Sequence, residues 1–428
     1  MRVWIDGSVA DPAIRIFGLG LLERHLLALR RLAKEHKLAF QVTIDLGSTG
    51  MPEPAFDEKL SKRLAIRIVR GEGSLSERVG RALDEAGGEA VMLLSGEVLC
   101  DGRLYLELAR RQGGVVVAEG EGAERAAMLL LGPAERALLP AQATSFADLA
   151  DRLVGAGLPR LRQADFNGFI RNLRRTLPFY LHVVRKRSKA RELQRFLFWS
   201  NYKGSTDFFT AYVYPPLVWL LVRPLAALRV HPNVVTIVSI VMTFAAIPFF
   251  ARGDFAIGLL LAYGMSVLDS VDGKLARLTF TDSKLGNVLD HGLDLIHPPM
   301  WYVAWAWGLA GGDMKHPLML LAWISTAVYV FDRLVLKVYP TLFNRGLHTH
   351  SRLDTMARTF ISRRNINLPI FTIGVFADWL LGGRAVASAC FQFIVFWQVV
   401  TLAFHAWRTA WIVLVEKAHR DPSRVSAT

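Results

Sequence analysis

The chain has 428 residues, 52% of them hydrophobic, and a formal charge of +14 with a pI near 10.0; that length exceeds one ordinary domain and predicts two parts. The positive excess sits beside apolar segments, with ten Lys and Arg against one acid, Glu192, between Arg171 and Lys203, so anionic lipid headgroups are the expected partner and nucleic acid is not. Two cysteines far apart, Cys100 and Cys390, exclude a disulfide framework or a Cys-rich metal site, and the opening MRVWIDGS lacks the charged-then-apolar pattern of a signal peptide.

Residues 1–165 mix charged and apolar residues as a soluble domain does. Strands are expected at Arg2 to Ile5, Phe40 to Ile44, Leu64 to Val69, Ala90 to Leu94, Gly114 to Ala118 and Ala127 to Leu131. Helices fill the gaps, as at Leu19 to Lys34, Ser76 to Glu85 and Arg103 to Arg111. That alternation predicts an α/β sandwich on a mainly parallel sheet. The run Arg15-Ile-Phe-Gly-Leu-Gly-Leu-Leu-Glu-Arg-His25 resembles the region after the phosphate loop of sugar-phosphate nucleotidyltransferases. The start of the chain, however, offers only Asp6-Gly7 where those enzymes carry a basic glycine-rich turn, and Leu94-Ser95-Gly96-Glu97 lacks their metal-binding Asp. A degenerate, catalytically silent nucleotidyltransferase-like domain is expected.

Residues 166–230 form a basic juxtamembrane segment. Phe169, Ile170, Leu173 and Leu177 recur at helical spacing opposite Arg171, Arg174 and Arg175, which predicts a helix lying on the membrane surface, and Phe196 to Trp199 predicts an interfacial anchor. The apolar run Phe208 to Val222 is short and interrupted by Pro215-Pro216, so it is expected to lie at the interface or half inserted. Six spans follow within the membrane domain, 231–416: Val234 to Ala251, Phe255 to Arg277, Leu285 to Ala310, Pro317 to Leu336, Leu368 to Leu381 and Ala385 to Val415. Residues 417–428 are expected to be a cytosolic tail. Lys and Arg crowd one set of loops and nearly avoid the other, which puts both termini in the cytoplasm.

Four carboxylates interrupt this apolar sequence, in the run Asp269-Ser-Val-Asp272-Gly273-Lys-Leu-Ala276-Arg277, eight residues, Gly286, three more, Asp290, three more, Asp294. Ionisable groups inside a span are costly and mark function. Asp269 and Asp272 fall at the cytoplasmic end of the second span, Asp290 and Asp294 at that of the third, each pair on one helix face. Two antiparallel helices can aim all four at one point, where divalent cations are the natural neutraliser; oxygen ligands alone suit Mg²⁺ or Mn²⁺. Gly273, Ala276 and Gly286 clear a groove beside the acidic face, and Arg277 can hold a phosphate bidentately. His291 and His297 on the third span are expected to be packed or hydrogen-bonded and not metal ligands.

The spacing Asp-x₂-Asp-Gly-x₂-Ala-Arg-x₈-Gly-x₃-Asp-x₃-Asp is identified as that of the CDP-alcohol phosphotransferase family, with every fixed position present, and His231-Pro232-Asn233-Val-Val-Thr236 resembles that family's Pro-Asn-x-x-Thr entry to its first span. The resemblance implies that Asp269, Asp272, Asp290 and Asp294 hold two divalent ions, that Asp294 is the general base toward the acceptor hydroxyl, and that Gly273, Ala276, Arg277 and Gly286 line the CDP site. It implies a CDP-alcohol donor, expected to be a CDP-lipid such as CDP-diacylglycerol, and a homodimer. A hydroxylated, phosphorylated acceptor would meet Arg333, Arg363 and Arg364, in or beside the Arg- and His-rich loop Arg345 to Arg364. Two alternatives stand beside it: a soluble CDP-polyol donor with an inositol-phosphate-type acceptor, and an ion or metal transporter with an intramembrane Asp site, which leaves Gly273, Ala276 and Arg277 without a role.

Overall fold

Short apolar runs whose side chains alternate across a sheet, followed by long apolar helices, give two structural regimes in one chain. The structure is a computed structural model that describes residues 1–111, 113–120, 125–162, 165–166, 168–170, 173, 175–282, 284–343 and 346–420, with the backbone alone for 284–285, 287–291, 293–294, 343 and 416–420. The chain divides into two compact units. One holds Met1–Ile170, Thr176–Ser200 and Leu278–Phe280; the other holds Arg171–Arg175, Asn201–Arg277 and the chain from Thr281 onward.

In chain order the first stretch forms β1 (Arg2–Asp6), β2 (Arg15–Ile16), β3 (Leu19–Gly20), α1 (Leu21–Glu35), β4 (Gln41–Asp45), α2 (Glu58–Leu64), β5 (Arg67–Val69), α3 (Leu75–Asp84), β6 (Val91–Ser95), β7 (Val98–Cys100), α4 (Gly102–Ala109), β8 (Val115–Glu119), β9 (Ala126–Leu131), α5 (Phe146–Gly155), β10 (Arg160–Leu161), β11 (Phe169–Ile170), β12 (Arg175–Thr176), β13 (Leu181–Val183) and α6 (Arg187–Ser200). Seven strands make one sheet in the order β10-β8-β9-β6-β1-β4-β5. It is parallel except where β9 runs antiparallel to β6 and β8. Val3 and Ile5 pack on α1, α2 and α4 on one face, and Trp4 packs with α3 and α5 on the other, so the unit is a three-layer α/β sandwich.

Three expectations change here. The strand expected from Leu64 begins only at Arg67, because α2 runs through Leu64 and Ala65 closes it in the left-handed region at φ 44. The helix expected over Phe169 to Leu177 is replaced by the short strands β11 and β12. The carbonyls of Gly168, Leu177 and Pro178 turn outward to accept from the Arg103 guanidinium at 3.2, 2.9 and 3.0 Å, which a continuous helix would forbid. Of the aromatic anchor on α6, Leu197 and Phe198 are core residues, leaving Phe196 and Trp199 exposed.

The second unit is helical: α7 (Pro215–Ala227), α8 (Pro232–Arg252), α9 (Phe255–Thr279), α10 (Lys284–Leu309), α11 (Pro317–Phe343), α12 (Arg352–Phe360), α13 (Arg364–Leu381) and α14 (Ala385–Arg420). Pro215 and Pro216 open α7, where a missing N–H costs nothing, and do not break it. Among the described residues, four helices are long and apolar enough to cross a membrane: Pro232–Arg252, Phe255–Thr279, Pro317–Leu342 and Ala385–Val415. The remaining two expected spans fall on α10 and α13. The helices share a core in which Trp305 stacks on Phe371 at 4.2 Å and Trp301 donates to the Thr243 carbonyl at 3.0 Å.

Candidate active site

The site grows from the entry to α8. His231 caps that helix through its side chain, Pro232 opens it, and Thr236 lies one turn in, facing α9. The Thr236 hydroxyl donates to Asp272 Oδ2 at 2.6 Å, and the Gly273 amide donates to Asp272 Oδ1 at 2.5 Å. Asp272 is buried and both these donors are neutral, so neither offers it a counter-charge. One turn earlier, Asp269 accepts from Arg364 Nη2 at 2.7 Å, which ties α9 to the start of α13. Arg364 Nη1 also meets His297 Nε2 at 3.1 Å, and the fully buried His297 ring packs against Trp301. His297 is thus packed and hydrogen-bonded, as expected.

Asp269, Asp272, Gly273 and Arg277 line one cavity of about 410 Å³, and Arg333, Arg363 and Arg364 line the same cavity. A Cβ on Gly273 would stand 3.3 Å from Arg277 Nη1, so glycine leaves that guanidinium its place. Ala276 lies on α9 and Gly286 near the start of α10, both half-buried. Asp290 and Asp294 occur one turn apart on α10; their side chains, and that of His291, lie outside the described residues. Residues 344–345 lie outside them too.

The rest of the wall was not read from the sequence. The segment 201–210, with Asp207 accepting from the Thr210 amide at 3.0 Å and Asn365 Nδ2 bonding both residues, closes one side. Lys274, buried, lies over the Tyr202 ring; burial pushes the Tyr202 hydroxyl above its ordinary pKa. Helix α12 brings in Arg358, and α14 brings in Gln398 and Thr401. The α12 segment is latched by a buried bidentate pair, Arg408 Nε and Nη2 donating to Asp354 at 2.7 and 2.8 Å. Although burial opposes its ionisation, Arg408 and Ser351 hold the Asp354 carboxyl below its ordinary pKa. Among the described residues, seven Lys and Arg side chains and four carboxylates line the cavity.

Residues 229–405 match the family model described as CDP-alcohol phosphatidyltransferase. The archaetidylinositol phosphate synthase of Aeropyrum pernix is 32% identical over 124 residues, 29% of this chain and 59% of that protein. The enzyme of the same name from Pyrococcus horikoshii is 38% identical over 113 residues, 26% of this chain and 57% of that protein. The chain therefore spans less than two thirds of the length of either relative. Among solved structures, Mycobacterium tuberculosis phosphatidylinositol phosphate synthase with CDP-DAG bound is 18% identical, with a TM-score of 0.37, covering 46% of this chain and 93% of that one.

Proposed function

We propose that the protein, whose residues 229–405 match the CDP-alcohol phosphatidyltransferase family model, transfers a substituted phosphate from a CDP-lipid to a hydroxyl of a phosphorylated polyol, releasing CMP, in polar-lipid synthesis. One observation carries this. The Asp269–Arg277 end of α9 and the arginines of α11, α12 and the α13 start, which belong to different helices, line a single cavity. The names of the two archaeal relatives support an inositol phosphate as the acceptor.

Asp269, Asp272, Asp290 and Asp294 would hold two divalent ions, Mg²⁺ or Mn²⁺; the buried Asp272, hydrogen-bonded by neutral donors, fits such an all-oxygen set. Bound there, the ions would neutralise the diphosphate and stabilise charge on the attacking and leaving oxygens. Gly273, Ala276, Arg277 and Gly286 form the CDP side, where Arg277 holds a phosphate. Arg333, Arg358 and Arg363 hold the acceptor's phosphate, while Arg364 keeps Asp269 in place. Asp294 takes the proton from the acceptor hydroxyl as that oxygen attacks the phosphorus bearing the lipid alcohol. The bond from that phosphorus to the CMP oxygen breaks, and CMP leaves. In this scheme α10 and α13 also cross the membrane, the site and both termini face the cytoplasm, and two copies form a dimer.

The N-terminal unit is proposed to be a silent nucleotidyltransferase-like domain. Asp6 and Asp45 end the adjacent parallel strands β1 and β4, where ligands usually bind an open α/β sheet. Buried Arg78 packs onto both, at 3.0 and 3.5 Å, and fills that position with protein. Pyrophosphate release from CTP and a polyol phosphate would overturn this silence.

The decisive assay supplies the purified protein in proteoliposomes with Mg²⁺ or Mn²⁺, CDP-diacylglycerol and myo-inositol phosphate, and identifies products by mass spectrometry. Acceptor-dependent CMP release is expected. Metal flux across the vesicles without CMP release from any CDP-alcohol would overturn the transfer and favour a transporter.

A further inference from the structure

Helix α14 carries a row of polar residues that the proposed reaction leaves without a role. Gln398, Thr401, His405 and Arg408 recur at spacings of three and four along an otherwise apolar helix, so they share one face, and none is more than 5% exposed. Polar side chains inside membrane helices are kept when they are paired or when they face a functional cavity. Each member of the row has a partner from another element. Gln398 Oε1 accepts from Ser325 Oγ of α11 at 2.7 Å, and Thr401 Oγ1 accepts from the Ser362 amide at 2.9 Å. His405 Nδ1 bonds Asp332 Oδ1 of α11 at 2.5 Å, and Arg408 bonds Asp354.

Gln398 differs from the others in one respect. The Ser325 bond fixes its carbonyl end, so Nε2 points the other way with two hydrogens to donate. That nitrogen is buried without a hydrogen bond of full geometry, and the polar group beside it is the Tyr302 hydroxyl, which lines the same cavity and already accepts from Asn367 Nδ2 at 2.8 Å. The Gln398 side chain also lines the 410 Å³ cavity, together with Thr401 and Arg333. Native proteins rarely leave a buried donor unsatisfied unless a water or a ligand takes it up.

We propose that Gln398 is a specificity-determining residue, whose Nε2 donates to a hydroxyl oxygen on the polyol body of the acceptor. The proposal rests on the acceptor assigned above. A neutral amide suits a neutral hydroxyl, while the acceptor's phosphate goes to the guanidinium groups of Arg333, Arg358 and Arg363. A hydroxyl-rich ring satisfies the donor; a short acceptor held by its phosphate alone leaves it bare. Sites built to bond a substrate hydroxyl reject analogues that lack it for this reason. Gln398 thereby favours a cyclic polyol phosphate over glycerol phosphate.

The test uses the full chain in proteoliposomes with CDP-diacylglycerol and Mg²⁺, and compares myo-inositol phosphate with glycerol 3-phosphate. Wild type should prefer the inositol compound. Gln398→Leu, similar in size but without the donor, should lower the ratio of kcat/KM for the two acceptors by about tenfold, through the KM for inositol phosphate and not through that for the CDP-lipid. Gln398→Asn, which draws the amide back from the cavity, should show the same split and serves if the Leu variant does not fold. An equal loss with both acceptors, a change confined to the CDP-lipid, or an unchanged ratio would overturn the proposal. CMP release by wild type with unphosphorylated alcohols only would overturn the acceptor assignment and this proposal with it, while leaving the transfer reaction standing. No CMP release with any acceptor would overturn the transfer itself.

Discussion

Thr236→Val removes one hydrogen bond at the centre of the site and almost nothing else, since valine has the shape of threonine. The hydroxyl has a single hydrogen and two acceptors in reach, Asp272 Oδ2 at 2.6 Å and the Pro232 carbonyl at 3.2 Å. The nearer acceptor takes it, and a carboxylate that holds a divalent ion is ionised. A hydrogen bond to a charged group contributes about 1.5–3 kcal/mol. At about 1.4 kcal/mol per factor of ten, its loss corresponds to roughly 10- to 100-fold, the range seen when a group that orients a metal-binding side chain is removed. If Asp272 is a metal ligand, the loss falls on metal affinity. The Mg²⁺ or Mn²⁺ concentration giving half-maximal CMP release should rise about 10- to 100-fold in Thr236→Val, with most of the rate recovered at saturating metal. Thr236→Ser, which keeps the hydroxyl, should stay near wild type. A Val variant with the wild-type metal dependence, or a Ser variant as impaired as Val, would refute the role of Thr236 as the group that orients Asp272.

Arg333→Gln and Arg363→Gln should each raise the KM for a phosphorylated acceptor by roughly 10- to 100-fold, with the KM for the CDP-lipid little changed; an effect on the donor alone would move these arginines off the acceptor side. Asp354→Asn strips the buried Arg408 guanidinium of its counter-charge and should cost about 3–5 kcal/mol, seen as a lower melting temperature in detergent; a melting temperature equal to wild type would show that the latch carries no stability. His25 in the N-terminal unit is buried, and that burial, with Arg24 beside it, holds its pKa at about 3 against an ordinary 6.5. The unfolded chain therefore binds a proton that the folded one refuses, so stability is full above pH 6.5 and is lost as the pH falls from there toward about 3, by up to about 1.4 kcal/mol per pH unit. Replacing His25 by Gln should flatten that slope in unfolding followed by fluorescence, and an unaltered slope would assign it to other groups.

The legible parts of the sequence were those whose determinants lie close together along the chain. The β6 run Val91–Ser95 and the β9 run Ala126–Leu131 announce themselves as buried strands, and both are buried throughout. Asp269, Asp272, Gly273 and Arg277 stood out because a charged run inside an apolar helix has few explanations, and the cavity does gather them. Residues 169–177 misled because helical spacing of apolar residues says nothing about Arg103, more than sixty positions earlier, whose one nitrogen meets the carbonyls of both Gly168 and Leu177, which a helix would hold about 13 Å apart. Helix α12 stayed hidden for a similar reason. Its nine residues are fixed at one end by the Ser351 cap and by a latch from Arg408, fifty-four positions later.

The polar row on α14 shows where such non-locality matters for function. The spacing of Gln398, Thr401, His405 and Arg408 is visible in the sequence, yet its meaning depends on Ser325, Ser362, Asp332 and Asp354, which come from three other parts of the chain. Asp332 links the row to the acceptor side directly: one oxygen bonds His405, and the other lies 3.3 Å from Arg333 Nη2. Arg333 is thus set against Tyr329 on one side and Asp332 on the other before any ligand arrives. Preset polar groups of this kind lose little on binding, which is how a site favours one anion geometry over another. On the proposed reaction the carboxylate end of α9 would serve any CDP-alcohol, while the acceptor would be chosen by the polar surfaces of α11 and α14 together with Arg358 and Arg363. The arrangement predicts that sequence changes which switch the acceptor fall at Gln398, Asp332 and His405, and not within Asp269 to Arg277.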